Sequence, residues 1–245
     1  MIKIIPQDNQ TIIYAAVTDF SDSLGYCEYK VPIFIKGIKA PPTQATIEGG
    51  KAHKEEEEYE KEHVEFVELT PQQLVNPKQN IEFPREDIFT RLLYPLKLSK
   101  QNVLVSLFGR TDKIKRFDQT LVVQDDKFTA NPQRYDNRKE PYPDQLLQVL
   151  TYLNSTYSNT GGNDPNDWFD IPHKQKQWIL RICDKNTKKP YKTFNQIQDP
   201  FQLQFLHSNI ERFASIALEI QEPKHHNIPA KCDACRFKND CEFAL

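Results

Sequence analysis

The sequence predicts an α/β protein in which helices flank a mixed β-sheet. Short apolar runs bounded by polar turns indicate strands, and the run at residues 121–123 leads directly into acidic residues. Two later segments, residues 144–157 and 199–221, instead repeat apolar side chains at helical spacing. At 245 residues, the chain is long enough for one domain with a substantial core and a C-terminal appendage.

Composition argues against a disordered chain and against a protein that binds nucleic acid through a strongly basic overall charge. Hydrophobic residues make up 38% of the chain, and 15 Phe and 10 Tyr favour a folded chain over a disordered one. The net charge is −2, so any nucleic-acid binding has to come from local patches. Two basic clusters could form such patches or be ordinary solvated surface: Arg110, Lys113, Lys115 and Arg116; and Lys185, Lys188 and Lys189.

The sequence also predicts where the protein works. No apolar segment approaches the ~20 residues needed to span a membrane. The amino terminus lacks a signal-peptide pattern. We therefore expect an intracellular, cytoplasmic protein with no membrane association. The sequence indicates no oligomeric state.

The first 66 residues are predicted to be mainly helical after an apolar lead-in or short strand at residues 1–17. Thr18-Asp19 and Ser21-Asp22 are typical N-caps, and the helix that they begin continues through Cys27. Residues 30–44 are interpreted as a strand followed by a proline-interrupted loop. A charged helix is predicted at residues 50–66, with His53 in its first turn and a solvated glutamate face.

The middle of the chain is predicted to form a small strand meander. Residues 70–80 suggest a loop or short helix, and residues 86–99 a short helix or turn followed by a strand. Residues 101–117 and 119–128 supply the remaining strands. We expect the acidic residues to lie at the ends of the central strands.

The segment at residues 109–128 predicts two strands joined by a polar turn. Asp112 begins the first strand, while Asp125 and Lys127 end the second. Because side chains alternate along a strand, Asp125 and Lys127 share one face and Asp126 points the opposite way. Two carboxylates and an ammonium group fit a hard divalent cation with an anionic substrate oxygen. On this segment alone, a solvated hairpin with a charged edge is the alternative.

The C-terminal half is predicted to contain two helices around a hairpin. In the helix at residues 144–157, Gln148 and Tyr152 are i, i+4 partners on one face. A polar loop follows, and residues 178–183 and 191–197 then suggest a hairpin in which Cys183 is a buried, inert thiol. The second helix begins with Asp199 as its cap and proline in its first position.

The tail carries three cysteines, Cys232, Cys235 and Cys241, spaced as Cys-x2-Cys-x5-Cys. Thiols this close together in a protein of a reducing compartment indicate a metal site rather than a disulfide framework. Zinc would take its fourth ligand from nearby His225 or His226. An iron–sulfur cluster would require a fourth thiolate, for which Cys27 is a better candidate than Cys183.

Taken together and in order, these motifs resemble the RecB-like PD-(D/E)xK nucleases that carry an iron–sulfur cluster. The set is most similar to the small CRISPR-associated exonucleases, and it extends from about Thr18 to Cys241. It comprises Cys27 after a Thr/Ser-Asp helix start, Gly-x-x-His at Gly50 and His53, Gly-Arg-x-Asp ending at Asp112, Asp-x-Lys at Asp125 and Lys127, Gln-x-x-x-Tyr at Gln148 and Tyr152, and the cysteine tail.

The resemblance implies a restriction-endonuclease-like α/β core and two metal centres. A [4Fe–4S] cluster would bind Cys27, Cys232, Cys235 and Cys241 and join the N-terminal helix to the C-terminal tail. Mg²⁺ or Mn²⁺ would bind His53, Asp112, Asp125 and the carbonyl oxygen of Asp126. Lys127 would orient the attacking water and stabilise charge on the phosphate, with Gln148 and Tyr152 positioning the DNA strand and supporting Lys127.

Two features of the sequence complicate this implied site. The doublet Asp125-Asp126 allows two registers, and the lysine spacing favours Asp125. The acidic run at residues 55–58 directly follows His53, so we expect it to point away from bound DNA.

The implied organisation is a single nuclease domain over residues 1–245. It contains an N-terminal helical part (18–66), a catalytic core (93–220) and a cysteine tail (224–245). The implied function is metal-dependent exonucleolytic hydrolysis of single-stranded DNA ends, in repair and recombination or in CRISPR spacer acquisition. Partners would be DNA and proteins of those pathways. The alternative is a non-catalytic DNA-binding adaptor stapled by an iron–sulfur cluster or by zinc.

Overall fold

A computed structural model describes residues 1–63, 76, 78, 80–83, 88–158, 162 and 165–245. The end of the predicted charged helix at residues 64–66, most of the 70–80 segment and part of the polar loop at 159–164 lie outside the described residues. The described strands are β1 (Lys3–Gln7), β2 (Gln10–Ala16), β3 (Ile81–Phe83), β4 (Phe89–Leu98), β5 (Gln101–Arg110), β6 (Lys113–Phe117), β7 (Thr120–Thr129), β8 (Thr156–Ser158), β9 (Gln175–Asp184) and β10 (Pro190–Ile197). The described α-helices are α1 (Val17–Tyr26), α2 (Lys30–Ile35), α3 (Gln44–His63), α4 (Pro143–Leu153), α5 (Pro200–Ala217) and α6 (Pro229–Asp233).

The strands form two five-stranded sheets. One has the order β1-β2-β5-β4-β8 and the other β10-β9-β7-β6-β3. Each contains one parallel pair, β2 with β5 and β7 with β9, among antiparallel neighbours. The predicted α/β fold with mixed sheets is therefore confirmed, although the strands divide into two sheets. The chain passes from one sheet to the other at Thr111-Asp112, between β5 and β6.

Several predicted elements differ from the structure. The apolar segment at residues 30–35 was predicted as a strand but forms α2, because its Val31, Ile33 and Phe34 side chains are buried in a helical arrangement and Pro32 lies in the first turn. The helix predicted to reach Tyr157 ends at Leu153. Tyr157 instead pairs with Thr90 in the β8–β4 ladder. The apolar lead-in forms the β1–β2 hairpin.

The boundaries of the remaining predicted helices also shift. The charged helix α3 begins at Gln44, about two turns before the predicted start. Among residues 88–99 the structure has no helix, and β4 begins at Phe89. At α5 the predicted start is confirmed, since the Asp199 carboxylate accepts a hydrogen bond from the Gln202 amide at 2.8 Å, but the helix ends at Ala217, before the predicted end at residue 221.

The core places α1 and α4 against each other beside both sheets. Phe20 of α1 meets Phe213 of α5 edge to face, with ring centroids 5.4 Å apart. Gly25 permits the closest approach, because a Cβ atom there would lie 2.2 Å from the Asp144 backbone nitrogen. This contact fixes the start of α4 against the end of α1, two residues before Cys27. None of the described helices has the length and apolar character needed to cross a membrane.

Substitution of Gly25 by alanine should therefore destabilise the protein. The added methyl group would collide with backbone atoms of α4, which cannot rotate away as a flexible side chain can. Overpacking of this kind costs about 1–3 kcal/mol. Urea unfolding followed by circular dichroism would measure the loss. Gly50→Ala is a suitable control because a Cβ atom there has nothing within 4 Å, and an equal loss in both variants would contradict the packing argument.

Candidate active site and cysteine centre

The β6–β7 hairpin has the predicted form of two strands joined by a polar turn, but the strand ends differ from the prediction. β6 begins at Lys113, one residue after Asp112, and β7 continues past Lys127 to Thr129 because it pairs with β9 over that length. Asp118 and Gln119 have φ values of 44° and 65°, the left-handed backbone that tight hairpin turns use. The ladder pairs Lys113 with Gln124, so Asp112 lies beside Asp125 and Asp126 in the middle of β7. Asp112 Oδ2 accepts a hydrogen bond from the Asp126 amide at 2.7 Å, which joins the two acidic segments.

Asp125 and Lys127 share one face of β7, as predicted from strand alternation. Lys127 Nζ lies 2.7 Å from Asp125 Oδ2. Asp126 points to the opposite face, where Arg181 of β9 donates to both of its carboxylate oxygens, with Nε 2.7 Å from Oδ1. The geometry therefore favours Asp125 over Asp126 as the aspartate that shares a face with Lys127 in the Asp-x-Lys motif. The Asp126 side chain is fully buried and holds β7 to β9.

Sequence reasoning missed Arg181. Its position in an ordinary strand gives no signal, and only the partner position on β7 makes its role visible. A buried aspartate at Asp126 requires a cation beside it, since an unpaired buried carboxylate is costly.

Gln148 and Tyr152 of α4 extend the site from Lys127. Lys127 Nζ donates to Gln148 Oε1 at 2.9 Å, and Gln148 Nε2 donates to the Tyr152 hydroxyl at 3.2 Å. Gly109, in the Gly-Arg-x-Asp segment, makes room for this row, because a Cβ atom there would lie 3.0 Å from Tyr152 Cε1. The structure thus brings Lys127, Gln148 and Tyr152 together in the order that the motifs predict.

His53 reaches the same site from α3. Its Nδ1 lies 4.0 Å from Asp112 Oδ2, and its ring meets Phe128 edge to face at a centroid distance of 4.7 Å. Two ion pairs hold α3 to the β9–β10 turn, Glu48 with Lys185 and Glu55 with Lys188. The second pair offsets charge at the start of the acidic run. That the acidic run at residues 55–58 points away from bound DNA stays a prediction.

Burial and neighbouring charges shift the acid–base equilibria in this site. Desolvation raises the pKa of Asp125 to about 6, with a further contribution from Asp112, while Lys127 opposes the rise. Burial disfavours the ammonium form of Lys127, but Asp125 and Asp112 outweigh that effect and raise the pKa of Lys127. Burial and then Asp125 raise the pKa of the Tyr152 hydroxyl. Lys127 and Tyr152 therefore keep their protons at neutral pH.

The donor set fits a hard divalent cation. Asp125 Oδ2 is buried and, among the described residues, has no hydrogen-bond partner of suitable angle in spite of the nearby Lys127. The Asp112 and Asp125 carboxylates flank the end of the hairpin, and His53 lies beside Asp112. Carboxylate oxygens are the ligands that Mg²⁺ and Mn²⁺ prefer. These residues, with the Asp126 carbonyl, would hold such an ion.

The raised pKa of Asp125 gives a testable pH dependence in metal-free protein. Its folded pKa of about 6 exceeds the usual 3.8, so this group stabilises the fold at low pH and loses that contribution as pH rises through about 6. We expect the metal-free protein to gain about 1 kcal/mol from Asp125 on going from pH 7 to pH 5. Urea unfolding in EDTA at both pH values would measure it, with Asp125→Asn as the comparison. If the unfolding free energy of Asp125→Asn changed between pH 7 and pH 5 as much as that of wild type, the pH dependence would not come from Asp125.

The second cluster of functional side chains lies where α1 meets the C-terminal tail. A cavity of about 20 Å³ is lined by all four predicted cysteine ligands and by both candidate histidines: Cys27, Cys232, Cys235, Cys241, His225 and His226. Cys232 Sγ lies 3.5 Å from His225 Nε2 and 3.9 Å from His226 Nε2. Cys183 is buried in β9 and does not line this cavity, as the sequence predicts.

The donor chemistry of this cavity suits a thiophilic metal centre. The ligand atoms of Cys27, His225 and His226 lie within 4.8 Å of one another. Burial raises the pKa of the Cys27 thiol, and burial followed by His225 lowers the pKa of His226. The cavity thus favours a neutral Cys27 thiol and a neutral His226 imidazole, and a bound cation would stabilise the Cys27 thiolate. Four thiols fit an iron–sulfur cluster, and the two histidines extend the set to one that also suits zinc.

Two aspartates and a lysine at the end of a β-hairpin in an α/β fold are the features by which one class of nucleases is defined. The comparison with known protein families agrees with that class. Residues 38–242 match the family model of the PD-(D/E)XK nuclease superfamily. Because the match covers most of the chain, this protein belongs to the PD-(D/E)XK nuclease superfamily. A comparison with curated protein sequences gives no significant match.

Among solved structures, the chain is similar to SSO0001, with 13% identity, a TM-score of 0.44, and coverage of 98% of this chain and 90% of that chain. It is similar to the alkaline exonuclease LHK-Exo from Laribacter hongkongensis, with 9% identity, a TM-score of 0.39, and coverage of 84% and 88%. LHK-Exo in complex with dAMP gives 9% identity, a TM-score of 0.40 and the same coverage of 84% and 88%. The family assignment rests on the sequence match alone.

Proposed function

We propose that this protein is a metal-dependent DNA exonuclease that hydrolyses phosphodiester bonds at single-stranded DNA ends. The observation that carries the proposal is the convergence of Asp112, Asp125 and Lys127 at one end of the hairpin, with His53 beside them. Membership of a nuclease superfamily supports hydrolysis of nucleic acid. The preference for single-stranded ends, and a pathway in repair, recombination or CRISPR spacer acquisition, come from the motif resemblance.

Each side chain has a distinct task in this reaction. A bound Mg²⁺ or Mn²⁺ would supply Lewis-acid stabilisation of the phosphate and lower the pKa of a water molecule. Lys127 stays charged, so it orients the water and stabilises negative charge on the phosphate rather than removing a proton. Gln148 restricts the Lys127 ammonium by accepting one of its hydrogen bonds, and Tyr152 orients Gln148 in turn.

Degradation of end-labelled single-stranded DNA with Mn²⁺ or Mg²⁺ tests the proposal. Wild-type protein should shorten the strand from an end, and Asp112→Ala should abolish cleavage because the mutation removes a carboxylate from the cation site. Asp8→Ala, in the exposed β1–β2 turn, is the control and should cleave as wild type does. Equal cleavage by wild type and Asp112→Ala would place the chemistry elsewhere. No cleavage by metal-loaded wild type would favour the DNA-binding adaptor.

For the cysteine centre, we propose a [4Fe–4S] cluster on Cys27, Cys232, Cys235 and Cys241. The four thiols around one cavity support this proposal. The alternative is zinc, and the Nε2 atoms of His225 and His226 near Cys232 are the observation that favours it. Anaerobic purification separates the two, since iron and sulfide in brown protein would eliminate zinc. Stoichiometric zinc in colourless protein would eliminate the cluster.

A further inference from the structure

Three aromatic and two arginine side chains cluster on one face of the β4–β5 ladder. The ladder pairs Phe89 with Arg110 and Arg91 with Phe108. Residues directly opposite each other in an antiparallel pair share a face, and so do residues two apart in a strand. Arg110 Cζ lies 5.7 Å from the centroid of the Phe89 ring, and Arg91 Cζ lies 4.2 Å from the ring of Trp168. We call these five residues the aromatic–arginine ladder.

The aromatic–arginine ladder lies on the face of the sheet away from the core. Gly109 and Thr90 between these residues face inward, since Gly109 packs against Tyr152 and Thr90 is fully buried. Phe108 is 45% exposed, and Arg110 is also exposed. The Phe108 ring therefore presents apolar surface to solvent on this face, whereas Phe89 and Trp168 are partly buried, and an exposed aromatic ring beside arginines suits a binding site.

The aromatic–arginine ladder ends at the candidate active site. Arg110 is the last residue of β5, and Asp112 follows two residues later. At a strand rise of about 3.3 Å per residue, Arg110 lies roughly 7 Å along the chain from Asp112. The ladder therefore ends two residues along the chain from a carboxylate of the candidate site.

Several other residues of the two predicted basic patches are buried or form ion pairs within the protein. Arg116 is fully buried and donates to the Pro172 carbonyl at 3.1 Å. Lys113 and Lys115 form ion pairs with Glu82. Lys185 and Lys188 hold α3 through the ion pairs described above. Of the first predicted patch, Arg110 alone among these described residues stands on an exposed face with aromatic neighbours.

We propose that the aromatic–arginine ladder is the binding track for the unpaired nucleotides that precede the scissile bond. Bases in a single strand can stack on the exposed Phe108 ring, and the guanidinium groups can offset phosphate charge and stack as well. Paired bases keep their faces within the duplex and cannot use such a track. The inference deepens the proposed function, on which it rests, by assigning the residues that select single-stranded substrate.

Binding of a 5′-fluorescein-labelled dT15 strand, measured by anisotropy in EDTA, tests the track without requiring cleavage. Phe108→Leu keeps apolar volume but removes the stacking plane, so it should weaken binding by at least about 5-fold, the low end for loss of one stacked base. Phe108→Tyr keeps the ring and should bind within about twofold of wild type. Arg110→Met should weaken binding and reduce its salt dependence. Binding to a blunt 15-base-pair duplex should change little in Phe108→Leu.

The matched control is Phe201→Ala, which removes an 81%-exposed aromatic ring from the first turn of α5 and should bind dT15 as wild type does. Equal binding by wild type, Phe108→Leu and Arg110→Met would overturn the track, as would wild-type protein that does not bind dT15. A different result would show that the proposed nuclease function is wrong while the track is right. Wild-type protein would then bind dT15 in a Phe108-dependent way but would not cleave end-labelled strands with Mn²⁺.

Discussion

Replacement of Lys127 by methionine is expected to lower the rate of DNA cleavage by about 10²- to 10³-fold, comparable to the loss of a main charge-stabilising donor in other hydrolases. Methionine preserves the length and apolar stem of the side chain but removes the ammonium that lies between Asp125 and Gln148. The loss should appear in kcat, because this interaction strengthens as charge develops on the phosphate. Single-turnover cleavage of end-labelled strands would measure it.

The same substitution should also destabilise the metal-free protein. Without Lys127, the buried Asp125 and neighbouring Asp112 lose their compensating cation, and breaking such a pair costs about 3 kcal/mol in the metal-free protein. Added Mg²⁺ should recover part of this stability, since a divalent cation can take the place of the ammonium as a neighbour of both carboxylates.

Lys176→Met is the matched control for Lys127→Met. Lys176 is also a partly buried lysine, on β9, and donates to Asn154 Oδ1 at 2.9 Å, outside the candidate site. It should keep wild-type cleavage. If Lys127→Met retained more than about a tenth of the wild-type rate, the ammonium would not serve the chemistry in the way that we propose.

Local sequence patterns predicted the candidate site because short-range geometry determines most of it. The alternation of β7 separates Asp125 and Lys127 from Asp126, and a helix places Gln148 beside Tyr152. These relations need only the strand and helix periods. Of the distant members, His53 could be assigned only through the family resemblance, because no local rule relates α3 to the hairpin. Cys27 was a candidate only because few cysteines lie outside the tail, and the resemblance then assigned it.

Tertiary packing explains the elements that the sequence mispredicted. Residues 30–35 have the β-branched composition of a strand, yet α2 buries Val31 and Phe34 against neighbouring helices, and that packing outweighs intrinsic propensity. Arg181 was missed for a related reason. Arg181 can pair with Asp126 only because the register of β7 with β9 places the two residues opposite each other. Parallel register between strands 55 residues apart leaves no pattern in a single sequence.

Replacement of Cys232 by serine is expected to lower the melting temperature by about 10 °C or more and to abolish metal binding at the cysteine centre. Cys232 is buried in the cavity where α1 meets the tail, and binding of a structural metal is coupled to folding. For a domain of this size, a loss of about 4 kcal/mol corresponds to such a shift. Calorimetry with iron and zinc analysis of the same samples would measure both effects.

Contacts within the protein also join the tail to the N-terminal helices. The Tyr26 hydroxyl donates to the Lys231 carbonyl at 2.7 Å, and Phe237 meets Phe34 edge to face at 5.3 Å. These contacts join the tail to α1 and α2, so release of the tail would also expose the end of α1 that packs on α4 through Gly25. Loss of Cys232 should therefore reduce cleavage indirectly, by loosening the helix that carries Gln148.

Cys183→Ser separates a metal ligand from an ordinary buried thiol. Cys183 is only 1% exposed but lies in β9, so its replacement should cost about 1 kcal/mol and leave metal content unchanged. Equal stability and metal content in Cys232→Ser and wild type would mean that the tail thiols bind no structural metal. His226→Gln then distinguishes the two centres: a zinc site that uses His226 would lose metal, whereas a four-thiolate cluster would keep its iron and sulfide.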